Sequence, residues 1–372
     1  MPYYPNGRVQ EGYRNRLVLT ELMEGLIVLR LWSLPAANRG IFRRTISYAT
    51  FALSAVFAGL LLSRHDLVIA SVPNPLTDGA ALLIGRLKGS RIVLELRDIY
   101  SDSLIALGKS PSSLLFRAVE AYFRWILNHI DLVAVCGNWM IPRLMDMGIS
   151  ERRILKLFHG TESEYIDAAD PEKFQEALQL KNRFVAFYAG SFSSHYDVPN
   201  LVRAARILKQ NRKSFRLVLI GTGPDASRVA EMVVEWKLDN VFLVGAVAPR
   251  EVYSYLQAAD LCLAPCGYRS MWIHDYLDTK ACEYLMAGKP ILAIEDHPLL
   301  GRLIAEANAG RSVPTRNPES LAREIVFFID HPVQTVLYGK NARKYAWKNL
   351  RREQIVSDFD VELKRKLSTL AL

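Results

Sequence analysis

Over most of its length this sequence alternates short, mostly apolar runs with longer stretches in which apolar residues recur every three or four positions. In the first half the short runs are residues 66–70, Arg91–Leu96 and Leu132–Val135, with helical periodicity over 112–128 and 139–147. In the second half residues 184–188, 217–220, 241–244, 261–264 and 291–294 read as strands. Helices are opened by Asp197 and Pro199, after Pro249, and near Pro298 and Glu319. A strand without a polar face is covered on both sides, and strand, helix and strand in succession make the βαβ unit of a parallel sheet. The chain therefore reads as α/β, with two Rossmann-like doubly wound domains.

Its 372 residues, half of them apolar, suffice for two or three such domains. Residues 1–165 read as the first domain and 166–340 as the second, with the charged segment 162–181 as the connection. Residues 341–372, helical and basic, read as helices returning toward the first domain. Residues 1–24 are polar and turn-rich, so the first strand is expected at 26–32. Lys and Arg exceed Asp and Glu by 9, unevenly: the first 160 residues hold 19 basic and 12 acidic residues, the remainder 28 and 26. A basic half suits anionic partners such as lipid phosphates. Neither an Arg-rich element with interleaved aromatics nor a zinc pattern points to nucleic acid. The four cysteines have apolar neighbours and no framework spacing, which reads as reduced core thiols. The opening residues carry no signal-peptide pattern, so a cytoplasmic location is expected. Residues 45–63 carry no charge. They suit a helix buried in the domain, one at a membrane surface, or a minimal span, the first favoured by their Ser, Thr and Gly and the strand that follows.

Residues 275–290 read as loop, short helix, Gly stop and a Pro opening the next strand. Asp275 and Glu283 lie eight apart. Ala281, Leu285 and Met286 form an apolar stripe, with Thr279, Lys280 and Glu283 opposite. Asp278 or Thr279 can cap the helix start and Gly288 its end. Alone, this is a core helix with a solvated Lys–Glu pair. In a parallel sheet, however, ligands lie beyond the carboxyl ends of the strands. There the loop from Gly190 through Ser191 to His195, with its backbone N–H groups, small hydroxyls and the start of the Asp197/Pro199 helix, suits a diphosphate, and Gly221 and Gly223 let a ligand approach the backbone. Glu283 faces the same crevice, where an ionised carboxylate can accept both hydroxyls of a ribose.

The run from Tyr255 through Asp260 to Pro265, followed by Thr279-Lys280-Ala281-Cys282-Glu283-Tyr284-Leu285-Met286-Ala287-Gly288-Lys289-Pro290, resembles the donor-binding half of glycosyltransferase family 4. Arg97-Asp98-Ile99-Tyr100-Ser101-Asp102-Ser103 is similar to a motif of that family's O-antigen and exopolysaccharide members, N-acetyl-L-fucosamine transferases among them. The resemblance implies a GT-B fold, two domains facing a cleft, and retaining, metal-independent transfer of a sugar from a nucleotide diphosphate, with no cofactor. It places Glu283 at the donor ribose and Asp275 near the donor sugar, with Asp in place of the family's Glu. His195 and Lys280 stand in for the family's usual Arg and Lys at the diphosphate. Arg97 and Asp98 take the place of a His–Asp pair and are expected to line the catalytic cleft. The implied partners are a UDP-linked sugar, a polyprenyl-diphosphate-linked saccharide and the inner membrane surface, which the protein would meet peripherally from the cytoplasm.

Relatives begin with a strand, a Gly-containing loop, a helix and a second strand ahead of the segment corresponding to Met1. The first domain is therefore expected to lack its first strand-helix-strand, leaving the strand at residue 26 without a neighbour. Two readings follow: an active enzyme whose start lies upstream, or a truncated copy that binds a sugar nucleotide without turnover. A nucleotide-sugar epimerase of similar shape is disfavoured by the Lys280 to Pro290 signature.

Overall fold

The computed structural model describes residues 9–14, 16–35, 41–72, 74–106, 108–178, 180–194, 196–211, 214–266, 277–296 and 300–369. The chain divides into two compact units. The first comprises residues 1–136, 140–157 and the segment from Glu362 onward; the second comprises 137–139 and 158–361. This division falls before the expected boundary at 165, and the return to the first unit begins at Glu362 rather than at 341.

In unit 1 the chain forms β1 (Val18–Met23), β2 (Leu26–Leu31), α1 (Ile41–Leu61), β3 (Leu67–Ser71), α2 (Pro75–Lys88), β4 (Arg91–Leu96), α3 (Tyr100–Ala106), α4 (Leu114–His129), β5 (Leu132–Val135), α5 (Met140–Asp146) and β6 (Ile154–Lys156). Strands β3, β4, β5 and β6 lie side by side in chain order, all parallel. Every residue of β5 is buried, as are Ile92, Val93, Leu94 and Leu96 of β4, beside buried Phe123, Ile126 and Leu127 of α4. Ser113 caps α4, its hydroxyl accepting from the Phe116 N–H at 3.3 Å.

The first strand corrects the expectation. β2 has a neighbour: it pairs antiparallel with β1, residues 18–23 that the composition marks as polar and turn-rich. Together they form a two-stranded sheet separate from the parallel one. Glu24 and Gly25 between them both have positive φ, 50° and 82°, as a two-residue hairpin turn requires. The β2 backbone groups that face β1 are thus satisfied within the hairpin. α1 includes the uncharged run as far as Leu61 and packs on α2; among the described residues, no helix is long and apolar enough to cross a membrane.

In unit 2 the elements are α6 (Ser163–Asp167), α7 (Glu172–Ala177), β7 (Phe184–Ala189), α8 (Val198–Asn211), β8 (Phe215–Ile220), α9 (Ala226–Glu235), β9 (Val241–Gly245), α10 (Pro249–Gln257), β10 (Leu261–Cys266), α11 (Thr279–Met286), β11 (Ile291–Glu295), α12 (Gly301–Glu306), β12 (Gly310–Val313), α13 (Pro318–Asp330) and α14 (Pro332–Asn349). α15 (Arg352–Thr369) then carries the chain back into unit 1. The six strands are parallel in the order β12-β11-β10-β7-β8-β9, the doubly wound arrangement with its reversal between β7 and β10. One face is packed by α8, α9 and α13, the other by α10, α11 and α14.

Residues 162–181 are a second correction, because they are not a linker. Ile166 and Leu180 are buried in the unit 2 core, and the Phe174 ring lies 3.8 Å from that of Tyr255. The charges mask an apolar spacing that docks α6 and α7 on the domain.

Candidate functional site

The glycines beyond β7 and β8 are locked together. The Gly190 N–H donates to the Ile220 carbonyl at 2.9 Å, the Phe192 N–H to Thr222 at 2.9 Å, and the Asp225 N–H to Phe192 at 2.8 Å. Gly221 has φ 136°, and a Cβ there would stand 1.9 Å from the Gly190 carbonyl oxygen, so no other residue fits without moving backbone. A Cβ on Gly223 would meet Phe192 O at 2.5 Å. The interlock changes one expectation. The N–H groups of Gly190 and Phe192 are used within the fold, leaving the N–H of exposed Ser191 without a partner among the described residues. The Ser191 carbonyl accepts from the buried Tyr188 hydroxyl at 2.9 Å, which fixes the loop's direction.

α11 brings the charged groups to this loop. Asp278 is its N-cap, one carboxylate oxygen accepting from the Ala281 N–H at 2.8 Å and the other pairing with Lys280 Nζ at 2.5 Å. Ala281, Cys282, Tyr284, Leu285 and Met286 are buried, and the Tyr284 hydroxyl accepts from the Ala189 N–H at 3.1 Å, pinning the helix to the end of β7. Lys280 and Glu283 emerge on the remaining side. The Lys280 side chain lies against Gly190 and its ammonium stands 4.3 Å from the Tyr196 ring centroid. Burial opposes its charge, but Asp278 and Tyr196 outweigh that and hold its pKa above the usual lysine value. Glu283 is half-buried. Desolvation pushes its carboxyl up to about 7 against the Tyr253 hydroxyl, which donates to it at 3.3 Å.

Gly190, Ser191, Gly221, Gly223, Lys280 and Glu283 are thus gathered around the ends of β7 and β8 and the start of α11. His195 and Asp275 lie outside the described residues. In unit 1, Arg97 and Asp98 follow β4 directly. Arg97 is exposed and pairs with Glu95 at 3.2 Å, and its carbonyl accepts from the Cys136 thiol at 3.5 Å. Desolvation raises the Asp98 carboxyl above its ordinary value. Other residues of the matching motifs hold the fold. Asp102 pairs with Arg143 at 3.4 Å, which also reaches Glu120. Asp260 accepts from the Val185 N–H at 2.8 Å, aligning β10 with β7.

Sequence reasoning missed Tyr253 and Tyr196, the partners of Glu283 and Lys280. Each sits on a different element from its partner, and no spacing within a single element reveals either.

Residues 170–345 match the family model described as Glycosyl transferases group 1. A putative colanic acid biosynthesis glycosyltransferase of Salmonella typhimurium is 24% identical over 173 residues, 45% of this chain and 40% of that protein. The chain spans less than two thirds of the length of the curated relatives it matches. Sucrose-phosphate synthase of Thermosynechococcus elongatus superposes with a TM-score of 0.75 at 18% identity, covering 96% of this chain and 87% of that one. The Anabaena protein HepE in complex with UDP-glucose gives 0.64 at 16% identity, covering 89% and 85%. Residues 170–345 therefore resemble a Glycosyl transferases group 1 domain, and the chain has an α/β GT-B fold.

Proposed function

We propose that this protein is a retaining, metal-independent glycosyltransferase of family 4. It moves a sugar from a nucleotide diphosphate, UDP by this reading, to a lipid-linked saccharide in surface polysaccharide assembly. The observation that carries the reading is the convergence of one acid, one ammonium and an interlocked glycine backbone at the strand ends of unit 2. The similar proteins support it from outside: HepE was solved in complex with UDP-glucose, and the Salmonella relative is a putative colanic acid biosynthesis glycosyltransferase.

Each group has a chemical task. Glu283, when ionised, accepts from both ribose hydroxyls, and Tyr253 holds it in place. Lys280 and the Ser191 N–H face the diphosphate, whose charge grows as the bond from sugar carbon to phosphate oxygen breaks. The departing oxygen takes the acceptor hydroxyl's proton as that hydroxyl bonds to the same face of the sugar, so configuration is retained without a separate base. By resemblance, Asp275 acts near the donor sugar and His195 near the diphosphate, while Arg97 and Asp98 are the catalytic residues of unit 1. The chain works peripherally at the cytoplasmic membrane face, a placement supported by the basic first half and by exposed apolar residues of α1.

Calorimetry with UDP on the wild type and Glu283→Ala tests the assignment. Affinity should fall at least about tenfold, the loss of a charge-assisted hydrogen bond, while the melting temperature holds. Equal affinity would remove the ribose role. Nucleotide binding without transfer to any lipid-linked acceptor would favour the non-catalytic remnant.

A further inference from the structure

α8, α9 and α13 pack on one face of the unit 2 sheet, and their first turns border a cavity of about 410 Å³. Its lining is charged: Asp197, Asn200 and Arg203 at the start of α8, Asp225 and Arg228 at the start of α9, and Arg316 just before α13. Lys280 and Glu283 do not line it, although Ser194 of the Gly190 loop does and the Asp225 N–H takes part in the glycine interlock.

Two features lack an account in the fold. Asn200 is 1% exposed, yet neither its amide nitrogen nor its amide oxygen has a partner, and one buried oxygen of Asp197 is unpaired as well. Buried groups of this kind are ordinarily paired, and leaving them unsatisfied opposes folding. The three guanidiniums form no ion pair or hydrogen bond among the described residues, although all three act on the Asp197 carboxyl through space. The lining backbone is also held in the left-handed region at two non-glycine positions, Asp197 with φ 39° and Arg316 with φ 54°.

These groups call for complementary chemistry in one molecule. A carboxylate and an amide, both unpaired, match vicinal hydroxyls, which donate to the first and both donate to and accept from the second. Unpaired guanidiniums match a phosphate or carboxylate. We infer that this cavity binds a small anionic monosaccharide, with its hydroxyls on Asp197 and Asn200 and its acidic group among Arg203, Arg228 and Arg316. The cavity borders the Gly190 loop, whose Ser194 also lines it, and the inference rests on Asp197, Asn200 and the three arginines, not on Lys280 or Glu283.

Titration calorimetry of the full chain with glucose 1-phosphate, glucuronate, glucose and inorganic phosphate tests this, each run with and without saturating UDP. Heat that survives UDP belongs to the cavity. The expected result is binding of glucose 1-phosphate or glucuronate at about 1 mM or tighter, and at least tenfold weaker binding of glucose and of phosphate. The tighter of the two acids identifies the anionic group. Arg316→Ala, at an exposed position that folding tolerates, should weaken that binding about tenfold. Asn200→Ala should weaken it as well while the melting temperature holds or rises, because a purely structural amide would lower it. UDP affinity should be unchanged in both variants. No UDP-resistant heat with either acid, inorganic phosphate binding as tightly as the sugar acids, or full affinity in Arg316→Ala would overturn the inference. Loss of UDP binding in Glu283→Ala has no bearing on it.

Discussion

The two parallel sheets of this protein are wound differently. From β7 the unit 2 chain steps outward through β8 and β9, then crosses back to place β10, β11 and β12 on the other side. The loops after β7 and β10 therefore part at the reversal, where a doubly wound sheet opens a crevice, and there the glycine interlock and α11 meet. The unit 1 sheet steps in one direction from β3 to β6 and has no reversal among the described residues. Its edge strand β3 leaves Ile69 51% exposed, and its motif residues Arg97 and Asp98 follow an inner strand with no comparable backbone interlock. The difference teaches that the winding, more than the loops' composition, decides where ligand-binding groups can gather.

The largest effect should come from the interlock itself. Gly221→Ala forces a Cβ to within 1.9 Å of the Gly190 carbonyl at φ 136°, and should destabilise unit 2 by more than about 3 kcal/mol or prevent its folding. Gly25→Ala in the unit 1 hairpin also meets a positive φ, 82°, but has nothing within 4 Å, so its cost should stay near 1 kcal/mol. Urea denaturation of both variants checks the contrast. Similar midpoints would show that the glycine crossing is not a constraint.

Next in size is a pH effect in unit 1. Asp78 on α2 is 1% exposed, and desolvation lifts its carboxyl to about 7 although the Tyr100 hydroxyl donates to it at 2.8 Å. Between the ordinary value of 3.8 and about 7 the folded chain keeps a proton that the unfolded chain releases. Stability from this group is therefore greatest at low pH and falls as pH rises through that window. Asp78→Asn keeps an acceptor for Tyr100 without a charge. It should exceed the wild type by up to about 4 kcal/mol at pH 8 and converge with it near pH 4. Parallel stability curves would place the Asp78 charge in water.

Glu283 offers the corresponding measurement in unit 2, on binding rather than folding. Only its ionised form accepts from both ribose hydroxyls, and its carboxyl titrates at about 7, raised first by desolvation. Uridine, which has no phosphate to titrate, should bind about tenfold more tightly at pH 8 than at pH 6. Glu283→Gln should bind weakly and without that slope. A flat wild-type profile by calorimetry would separate Glu283 from the ribose.

Much of this was legible in the sequence, and the gaps share a physical cause. β5 was readable to the residue because burial on both faces leaves an unbroken apolar run, and β4 because Ile92, Val93 and Leu94 form one between Arg91 and Glu95; Pro249 marks the first turn of α10. β1 was missed because Thr20 and Glu21 interrupt its apolar run and its strand character depends on pairing with β2. The segment around Ile166 and Leu180 was misread because few apolar residues among many charges still bury a helix when a core waits beside it. Gly190, Lys280 and Glu283 were found from local pattern. Their partners Tyr196 and Tyr253, and the unpaired Asn200, become visible only when distant elements are brought together.

The smallest change in stability, and the sharpest test of how the units differ, concerns the surface of α1. Leu53, Phe57 and Leu61 recur every fourth residue and are 67%, 76% and 85% exposed, a single stripe on a helix whose Ser47 and Ala52 are buried. The first 160 residues are also the basic part of the chain, and an apolar stripe within a basic unit is what an anionic lipid surface attracts. Phe57→Glu should shift stability by less than about 0.5 kcal/mol, yet lower co-sedimentation with phosphatidylglycerol vesicles several-fold. Val333→Glu on α14 makes the same change at an equally exposed position, 83%, in the nearly neutral second unit, and should leave vesicle binding as it was. If both variants lose binding, the interaction is charge repulsion spread over the molecule; if neither does, α1 has no part in it.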